Sequence, residues 1–309
     1  MTSARVTAQA KVNLFLRVLA REASGFHQLE TLFCRLALGD DVVVRPTRGA
    51  RSLDCRGPAV PPAGLGPVER NLAWRAAVTY TEATAWPAGF TIEIDKRIPV
   101  GGGLGGGSAD AGAVLRALNA LAPTPLSPVD LLRLGQGLGA DVPFLTQDLS
   151  PLALAWGRGE RLLTLPALPE RDCLIRAFPF GISTVDAYSW LAESPAGASA
   201  ATACSADAFG DWRLVARLAC NEFERVVIAH QPSIGRERLR LQDVVHSADG
   251  EFTLMSGSGA SVFAILSPGR GAELARSIDP PDADATAPGG IRTILTATAT
   301  HVEPVTLGD

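Results

Sequence analysis

At 309 residues, 47% of them hydrophobic, the chain has material for one large domain or two packed ones. Its 28 Lys and Arg stand against 32 Asp and Glu, a formal charge of −4 that argues against a general nucleic-acid or membrane-surface binder. No apolar run is long enough to span a membrane, no signal-peptide layout opens the chain, and five scattered cysteines make no Cys-x-x-Cys pair; a cytoplasmic protein with reduced thiols is expected.

Residues 6–18 read as a strand pair or as one long bulged strand, and Lys11 and Asn13, two apart, share a face of it. A lysine in so apolar a strand either reaches solvent from an edge or meets a partner. Residues 24–27 read as a turn, in which His27 alone is an ordinary surface histidine. An apolar stretch follows over 29–38, then a turn at Gly39-Asp40-Asp41 and a further strand over 41–45. Residues 58–67 are rich in Pro and Gly and read as a loop. A helix then starts at Arg70-Asn71-Leu72 and carries Leu72, Ala76 and Tyr80.

Residues 90–95 alternate apolar and polar, the pattern of a half-buried strand. The run after it, Pro99-Val-Gly-Gly-Gly-Leu-Gly-Gly-Gly-Ser-Ala-Asp-Ala111, is the organising feature of the chain: six of the seven residues from Gly101 to Gly107 are glycine. Val114, Leu118 and Leu121 then recur at helical spacing, with Ser108 placed as N-cap. A strand, a bare loop and a helix N-terminus gather free backbone N–H groups around one point, a cradle for a polyphosphate. A flexible linker would rarely carry a cap and an amphipathic helix. A Walker A loop is excluded because Ser108-Ala109 stands where Lys-Ser/Thr is needed. A dinucleotide fingerprint is excluded because the strand before the loop alternates and ends in Lys96-Arg97-Ile98, and no acid lies about 20 positions on.

Residues 123–128 read as a linker, with Ser127 as N-cap and Pro128 at the first helical position. Leu131, Leu134 and Leu138 follow at helical spacing, and Gly139 is the expected stop. Asp141 comes next, in a turn that Pro143 is expected to stiffen by keeping Val142 extended; a lone aspartate in such a place is commonly a plain turn residue. Residues 152–156 and 160–165 read as a hairpin around Gly157-Arg-Gly159. Prolines clustered over 165–171 suggest a boundary, dividing the chain into domains 1–165 and 166–309.

In the second half, residues 173–178 read as a strand and 181–188 lead into a helix, where Thr184 and Tyr188 lie on one face. Residues 194–209 read as a mobile loop and 215–228 as mostly helix. Short strands over 252–255 and 261–266 flank Ser256-Gly-Ser-Gly-Ala260. That second glycine stretch is either a plain hairpin turn or a backbone that approaches a ligand or the first cradle. Residues 279–290 read as a surface loop and 291–305 as a closing strand.

A phosphate cradle without a Walker lysine needs a cation and a base from elsewhere, since phosphoryl transfer to a hydroxyl is mostly positioning and charge neutralisation. Lys11 and Asp141 supply one of each if the fold brings them together. Four histidines without ligand-like spacing argue against a structural zinc site, and no residue is nominated as a metal ligand.

The loop from Pro99 to Ala111 resembles the phosphate loop of the galactokinase, homoserine kinase, mevalonate kinase and phosphomevalonate kinase (GHMP) superfamily. With Ala10-Lys11-Val-Asn13-Leu-Phe-Leu, Gly25-Phe26-His27, Gly139-Ala-Asp141-Val-Pro-Phe144, Asn221-Glu-Phe-Glu224 and Met255-Ser-Gly-Ser-Gly-Ala260, it is similar to the branch acting on 4-diphosphocytidyl-2-C-methyl-D-erythritol. The resemblance implies an α+β, two-domain GHMP kinase fold: an N-terminal domain like ribosomal protein S5 domain 2, a ferredoxin-like C-terminal domain, and the active site in the cleft between them. It implies ATP-dependent phosphorylation of that substrate's 2-hydroxyl, in the non-mevalonate (MEP) route to isoprenoids. Lys11 and Asp141 would be the catalytic pair. ATP, travelling with Mg²⁺, would be held by Lys96 and by Pro99, Val100, Gly101, Gly102, Gly103, Leu104, Gly105, Gly106, Gly107, Ser108 and Ala109. Asn13 would orient the substrate, and Phe26, His27, Phe33, Thr184 and Tyr188 would form the cytidine pocket. Phe26 stands where tyrosine is common, which keeps an aromatic face. Gly112 stands where alanine is usual, expected to weaken the helix slightly. A monomer or weak homodimer is implied, without nucleic-acid or membrane partners. A homoserine- or mevalonate-type kinase would not need the aromatic pocket, and a catalytically silent nucleotide-binding regulator would not need Lys11 and Asp141.

Overall fold

The computed structural model describes residues 2–22, 25, 27–194, 206–245, 250–278 and 290–308. Its first sheet is built on an antiparallel pair, β1 (Ser3–Arg21) and β2 (His27–Thr47). Register shifts at Gln9/Lys11, Asn13/Phe15 and Val18/Ala20 make β1 one long bulged strand. The turn expected at Gly39-Asp40-Asp41 does not form. Those residues stay in the ladder opposite Gln9, Ala8 and Thr7, because the Asp40 carboxylate finds partners beyond the strand instead of closing a local turn.

The far edge of β2 is shared. Residues 29–34 pair with β5 (Leu152–Gly157) and residues 41–47 with β4 (Gly89–Asp95). β3 (Arg51–Arg56) lies parallel to β4, β6 (Arg161–Leu165) closes the hairpin on β5, and β11 (Thr306–Gly308) returns to β1. β3 escaped the sequence reading because only Leu53 and Cys55 in it are apolar. Against this sheet pack α1 (Leu72–Thr84), α2 (Gly106–Leu121), α3 (Pro128–Gln136) and α4 (Val142–Thr146).

Local chemistry sets most of these boundaries. Asn71 caps α1 by accepting from the Ala73 N–H, and Ser127 caps α3 with Pro128 in the first turn. α2 begins two residues before the expected cap: Gly105, at φ 73°, is its N-cap and Ser108 is already helical. α3 stops at Gln136 rather than at Gly139, because the chain tightens so that the Leu138 N–H bonds the Gly135 carbonyl. Gly112 is more than a weak helical position. A Cβ there would lie 2.5 Å from the Leu145 carbonyl oxygen, so the glycine lets α4 sit directly on α2.

The second sheet is antiparallel in the order β10-β7-β9-β8, with β7 Asp172–Ala177, β8 Phe252–Met255, β9 Val262–Leu266 and β10 Arg292–Ala297. Alternation along β7 buries both its faces: Cys173 and Ile175 join the core of the first sheet, while Leu174 joins the cluster under the helices of this half. Those helices are α5 (Thr184–Glu193), α7 (Glu222–His230), α8 (Pro232–Val244) and α9 (Gly271–Ile278), while α6 (Trp212–Leu218) buries Trp212, Val215 and Leu218 in the core of the first sheet. The single helix expected over 215–228 is split into α6 and α7, since Asn221 turns to cap α7 and Cys220 lends its carbonyl to Leu16 of β1. The closing strand ends at Ala297, beyond which the N–H groups of Thr298 and Ala299 bond Arg171 and Arg35. The loops expected over 194–209 and 279–290 lie largely outside the described residues, the first ending in a 3-10 turn, Ala206–Phe209.

Candidate active site

The glycine run joins β4 to α2 and passes close to three other segments. The Lys11 N–H bonds the Leu104 carbonyl at 3.0 Å, the Ser261 N–H bonds Gly102 at 3.2 Å, and the Ser256 hydroxyl donates to Gly103 at 2.9 Å. A Cβ on Gly103, at φ 76°, would fall 2.1 Å from the Ser256 carbonyl oxygen, and one on Gly105, at φ 73°, would fall 2.9 Å from Lys11 Cγ. Glycine is therefore required by close backbone approach as well as by left-handed φ. Of the two readings of residues 256–260, this contact with the first cradle is the one realised. Asn221 holds the second loop from behind, donating to the carbonyls of Met255 at 2.7 Å and Gly257 at 2.8 Å, while Glu224 accepts from the Met255 N–H. The first N–H groups of α2 have no intrahelical acceptor and open onto the cleft at Gly106, Gly107 and Ser108, the arrangement that binds anions.

Lys11 and Asp141 meet beside that loop. Lys11 Nζ lies 3.2 Å from Asp141 Oδ2, with the lysine side chain 4% exposed and the aspartate 31%. Lys11 thus has partners and is no solvent-seeking edge lysine: it also donates to Asn13 Oδ1 at 2.8 Å, and Asn13 Nδ2 donates to the Thr31 hydroxyl at 2.8 Å. Thr31 in turn donates to the Phe15 carbonyl, so the amide of Asn13 is held with its oxygen toward the lysine. Thr31 was not legible in the sequence as part of this relay. Asp141 occupies the N-cap position of α4 at φ −81°, ψ −18°, yet makes no capping bond, which leaves its carboxylate to the lysine and the cleft. Val142 is helical rather than extended, since Pro143 stands in the first turn, where no donor is missed.

A cleft of about 1150 Å³ runs from the glycine loop to α5. At its far end the rings of His27 and Tyr188 stack at 4.2 Å and 10°, and Tyr188 meets Phe223 edge-on at 4.9 Å. Burial, then the charge of Arg21, lowers the His27 pKa, while burial, then Asp141, pushes the Tyr188 hydroxyl up to about 12, so both rings are neutral at pH 7. Thr184 faces the same space, its hydroxyl 3.2 Å from that of Ser258. Phe33 forms the floor, buried, with Lys11 Nζ 5.5 Å from its ring centre. Phe26 lies outside the described residues.

Three expected nucleotide contacts fall elsewhere. Val100 projects outward, Ala109 is buried in α2, and neither lines the cleft. Lys96 is buried behind the loop, paired with Asp40 of β2 and, at 2.7 Å, with Asp110 of α2. Two buried carboxylates hold an ammonium more firmly than a solvated phosphate can. Asp40 also accepts from the N–H groups of Arg97 and Ile98, so the triad ties both ends of the glycine loop. Burial, reinforced by Asp40 and opposed by Lys96, pushes the Asp110 carboxyl up to about 7.

Among the described residues no group of three or more His, Cys, Asp and Glu is arranged to hold a metal ion. The cleft offers the Asp141 carboxylate and the Ser108 hydroxyl, a donor set that fits a Mg²⁺ carried mainly by phosphate oxygens and water.

Residues 71–147 match the model of the GHMP kinases N terminal domain. The chain is 38% identical over 261 residues to the 4-diphosphocytidyl-2-C-methyl-D-erythritol kinase of Pelotomaculum thermopropionicum, covering 84% of this chain and 87% of the relative. It is 38% identical over 269 residues to the kinase of the same name from Deinococcus radiodurans, covering 84% and 82%. A crystal structure of 4-(cytidine 5'-diphospho)-2C-methyl-D-erythritol kinase superposes with a TM-score of 0.73 at 32% identity, over 96% of this chain and 99% of that one. Homoserine kinase from Cytophaga hutchinsonii, at 20% identity and a TM-score of 0.69 over 99% and 97%, shares the fold. With its phosphate loop, its two α+β halves and this likeness along most of its length, the chain belongs to the 4-diphosphocytidyl-2-C-methyl-D-erythritol kinase family of the GHMP kinases.

Proposed function

We propose that this enzyme transfers the γ-phosphoryl group of ATP directly to the 2-hydroxyl of 4-diphosphocytidyl-2-C-methyl-D-erythritol, with Asp141 as general base and Lys11 as charge stabiliser. The observation that carries the mechanism is the 3.2 Å pair of Lys11 and Asp141 beside the glycine loop. The Asp141 carboxylate accepts the hydroxyl proton as the oxygen attacks in line. The Lys11 ammonium faces the Asp141 carboxylate and steadies the charge that develops on the transferring group. Backbone N–H groups of the loop and of α2 hold the phosphates, and Asn13 fixes the lysine and orients the substrate. His27, Thr184 and Tyr188, with Phe26 and the floor residue Phe33, receive the cytidine. Mg²⁺, bound with ATP, would neutralise phosphate charge, held mainly by phosphate oxygens and water, with the Ser108 hydroxyl as the side chain of the cradle that would join them.

The same reading divides the chain into an N-terminal kinase domain over 1–165 and a C-terminal domain over 166–309, working as a monomer or weak homodimer in the cytoplasm. The test is ADP release by the purified protein with ATP and each of three acceptors: the cytidyl diphosphate substrate, mevalonate and homoserine. Turnover with the first alone is expected, with the product phosphate on the tertiary carbon by ³¹P NMR. Turnover of mevalonate or homoserine in its place overturns the substrate, and no turnover of any acceptor overturns the kinase.

A further inference from the structure

Among the described residues Arg35 is the bulkiest fully buried side chain, 1% exposed, and the chemistry above makes no use of it. Burying a guanidinium is costly, and here its Nε has no hydrogen-bond partner and Arg116 repels it, with the charge of Asp148 as a smaller offset. Its Nη2 donates to the carbonyl of Phe144 at 2.7 Å and to that of Gln147 at 2.8 Å. These lie at the C-terminal end of α4, whose N-terminal end is Asp141. A helix of five residues has no stability of its own, so its orientation is set by what holds it. On one side α2 holds it, through the close contact at Gly112. Arg35 holds the end.

The same arginine is also tied to Lys11. The two are paired directly across β1 and β2. Between their charges lies an aromatic stack: Arg35 Cζ is 5.1 Å from the Phe144 ring centre, Phe144 stacks on Phe33 at 5.0 Å and 18°, and Lys11 Nζ is 5.5 Å from Phe33. One cross-strand pair therefore presents the cation of the site at one end and clamps the helix of its acid at the other.

We infer that Arg35 is a positioning residue for phosphoryl transfer: by bonding the last carbonyls of α4 it holds the Asp141 carboxylate at its working distance from Lys11 and from the acceptor hydroxyl. This rests on Asp141 being the base. Displacing a catalytic group by about 1 Å can cost on the order of 10²-fold in rate, so loss of the clamp lowers kcat while leaving the binding of both substrates intact.

The experiment is steady-state kinetics on R35M, R35K, D141N and R35M/D141N, each checked by circular dichroism to be folded at the assay temperature. R35M is expected to lower kcat by about 10- to 100-fold, with both KM values within about twofold of the parent. R35K restores part of kcat by bonding one carbonyl. In the D141N background R35M costs little more, because the clamp has no base left to aim. A folded R35M with the parental kcat overturns the inference. So does a loss of the same size with and without Asp141, or a rise in KM with kcat unchanged. Where R35M is unfolded, R35Q and R35K carry the same comparison. Near-parental turnover by D141N overturns the mechanism itself, whatever R35M does, which keeps the two failures apart.

Discussion

Lys11, in the first strand, and Asp141, at the start of the fourth helix, stand 3.2 Å apart from Nζ to Oδ2, and the asparagine two residues beyond the lysine holds its ammonium there. The pair lies beside a glycine loop that lines the same cleft, so the proposed proton acceptor, its cation and the proposed phosphate cradle stand together.

Asp141→Asn is expected to keep ATP affinity and to lower kcat by about 10²- to 10⁴-fold, the loss typical of removing a general base. Calorimetry with ATP and an ADP-release assay measure the two quantities. Turnover within a few-fold of the parent would take Asp141 out of the mechanism.

Gly105→Val should abolish nucleotide binding. The residue sits at φ 73° with Lys11 Cγ 2.9 Å from any Cβ, so the branched side chain strains the backbone and displaces the lysine together. Calorimetry with ATP is the check, and an unchanged affinity would mean that the phosphates bind away from this loop.

Tyr188→Ala is expected to raise KM for the cytidyl substrate about tenfold, since stacking a base on an aromatic ring contributes roughly 1–3 kcal/mol, and to leave KM for ATP unchanged. The 4.2 Å stack of His27 on Tyr188 leaves no room for a base between them, so His27→Ala uncovers that ring face and its effect on the same KM reports which face the cytosine uses. A Tyr188→Ala enzyme with parental KM would remove the ring from the pocket.

Stability should carry a signature of Asp110. Its folded-state pKa, about 7, lies above the ordinary 3.8, so between those values the folded chain keeps a proton that the unfolded chain has lost. The stabilisation from this group is complete below the ordinary value and is lost as pH rises through about 7. Asn mimics the protonated acid. D110N should therefore melt close to the parent at pH 5 and above it at pH 8, and a melting difference constant across that range would contradict the shift.

Much of the site could be read without coordinates, and the parts that could not share one cause. The bare glycine loop between an alternating strand and a helix start was legible because each of those three patterns is local. Ser127 as a cap was legible because capping reaches only two or three residues, whereas the cap expected at Ser108 fell at Gly105. The pairing of the Lys96 side chain could not be read because its neighbours in the chain cannot say that Asp40 and Asp110 arrive from β2 and α2 to bury it. Asp40 looked like a turn former for the same reason, and Arg35 looked like one more residue of an apolar strand.

By itself the sequence determined the start of α3 and the bare glycine loop that leads into α2, because those preferences act between near neighbours. Only the tertiary structure decided which side chains meet. The register of β1 on β2 and the seating of α4 on α2 bring Lys11, Asp141 and Arg35 into one apparatus. Those placements are fixed by packing and pairing between segments far apart in the chain, where no local preference reaches.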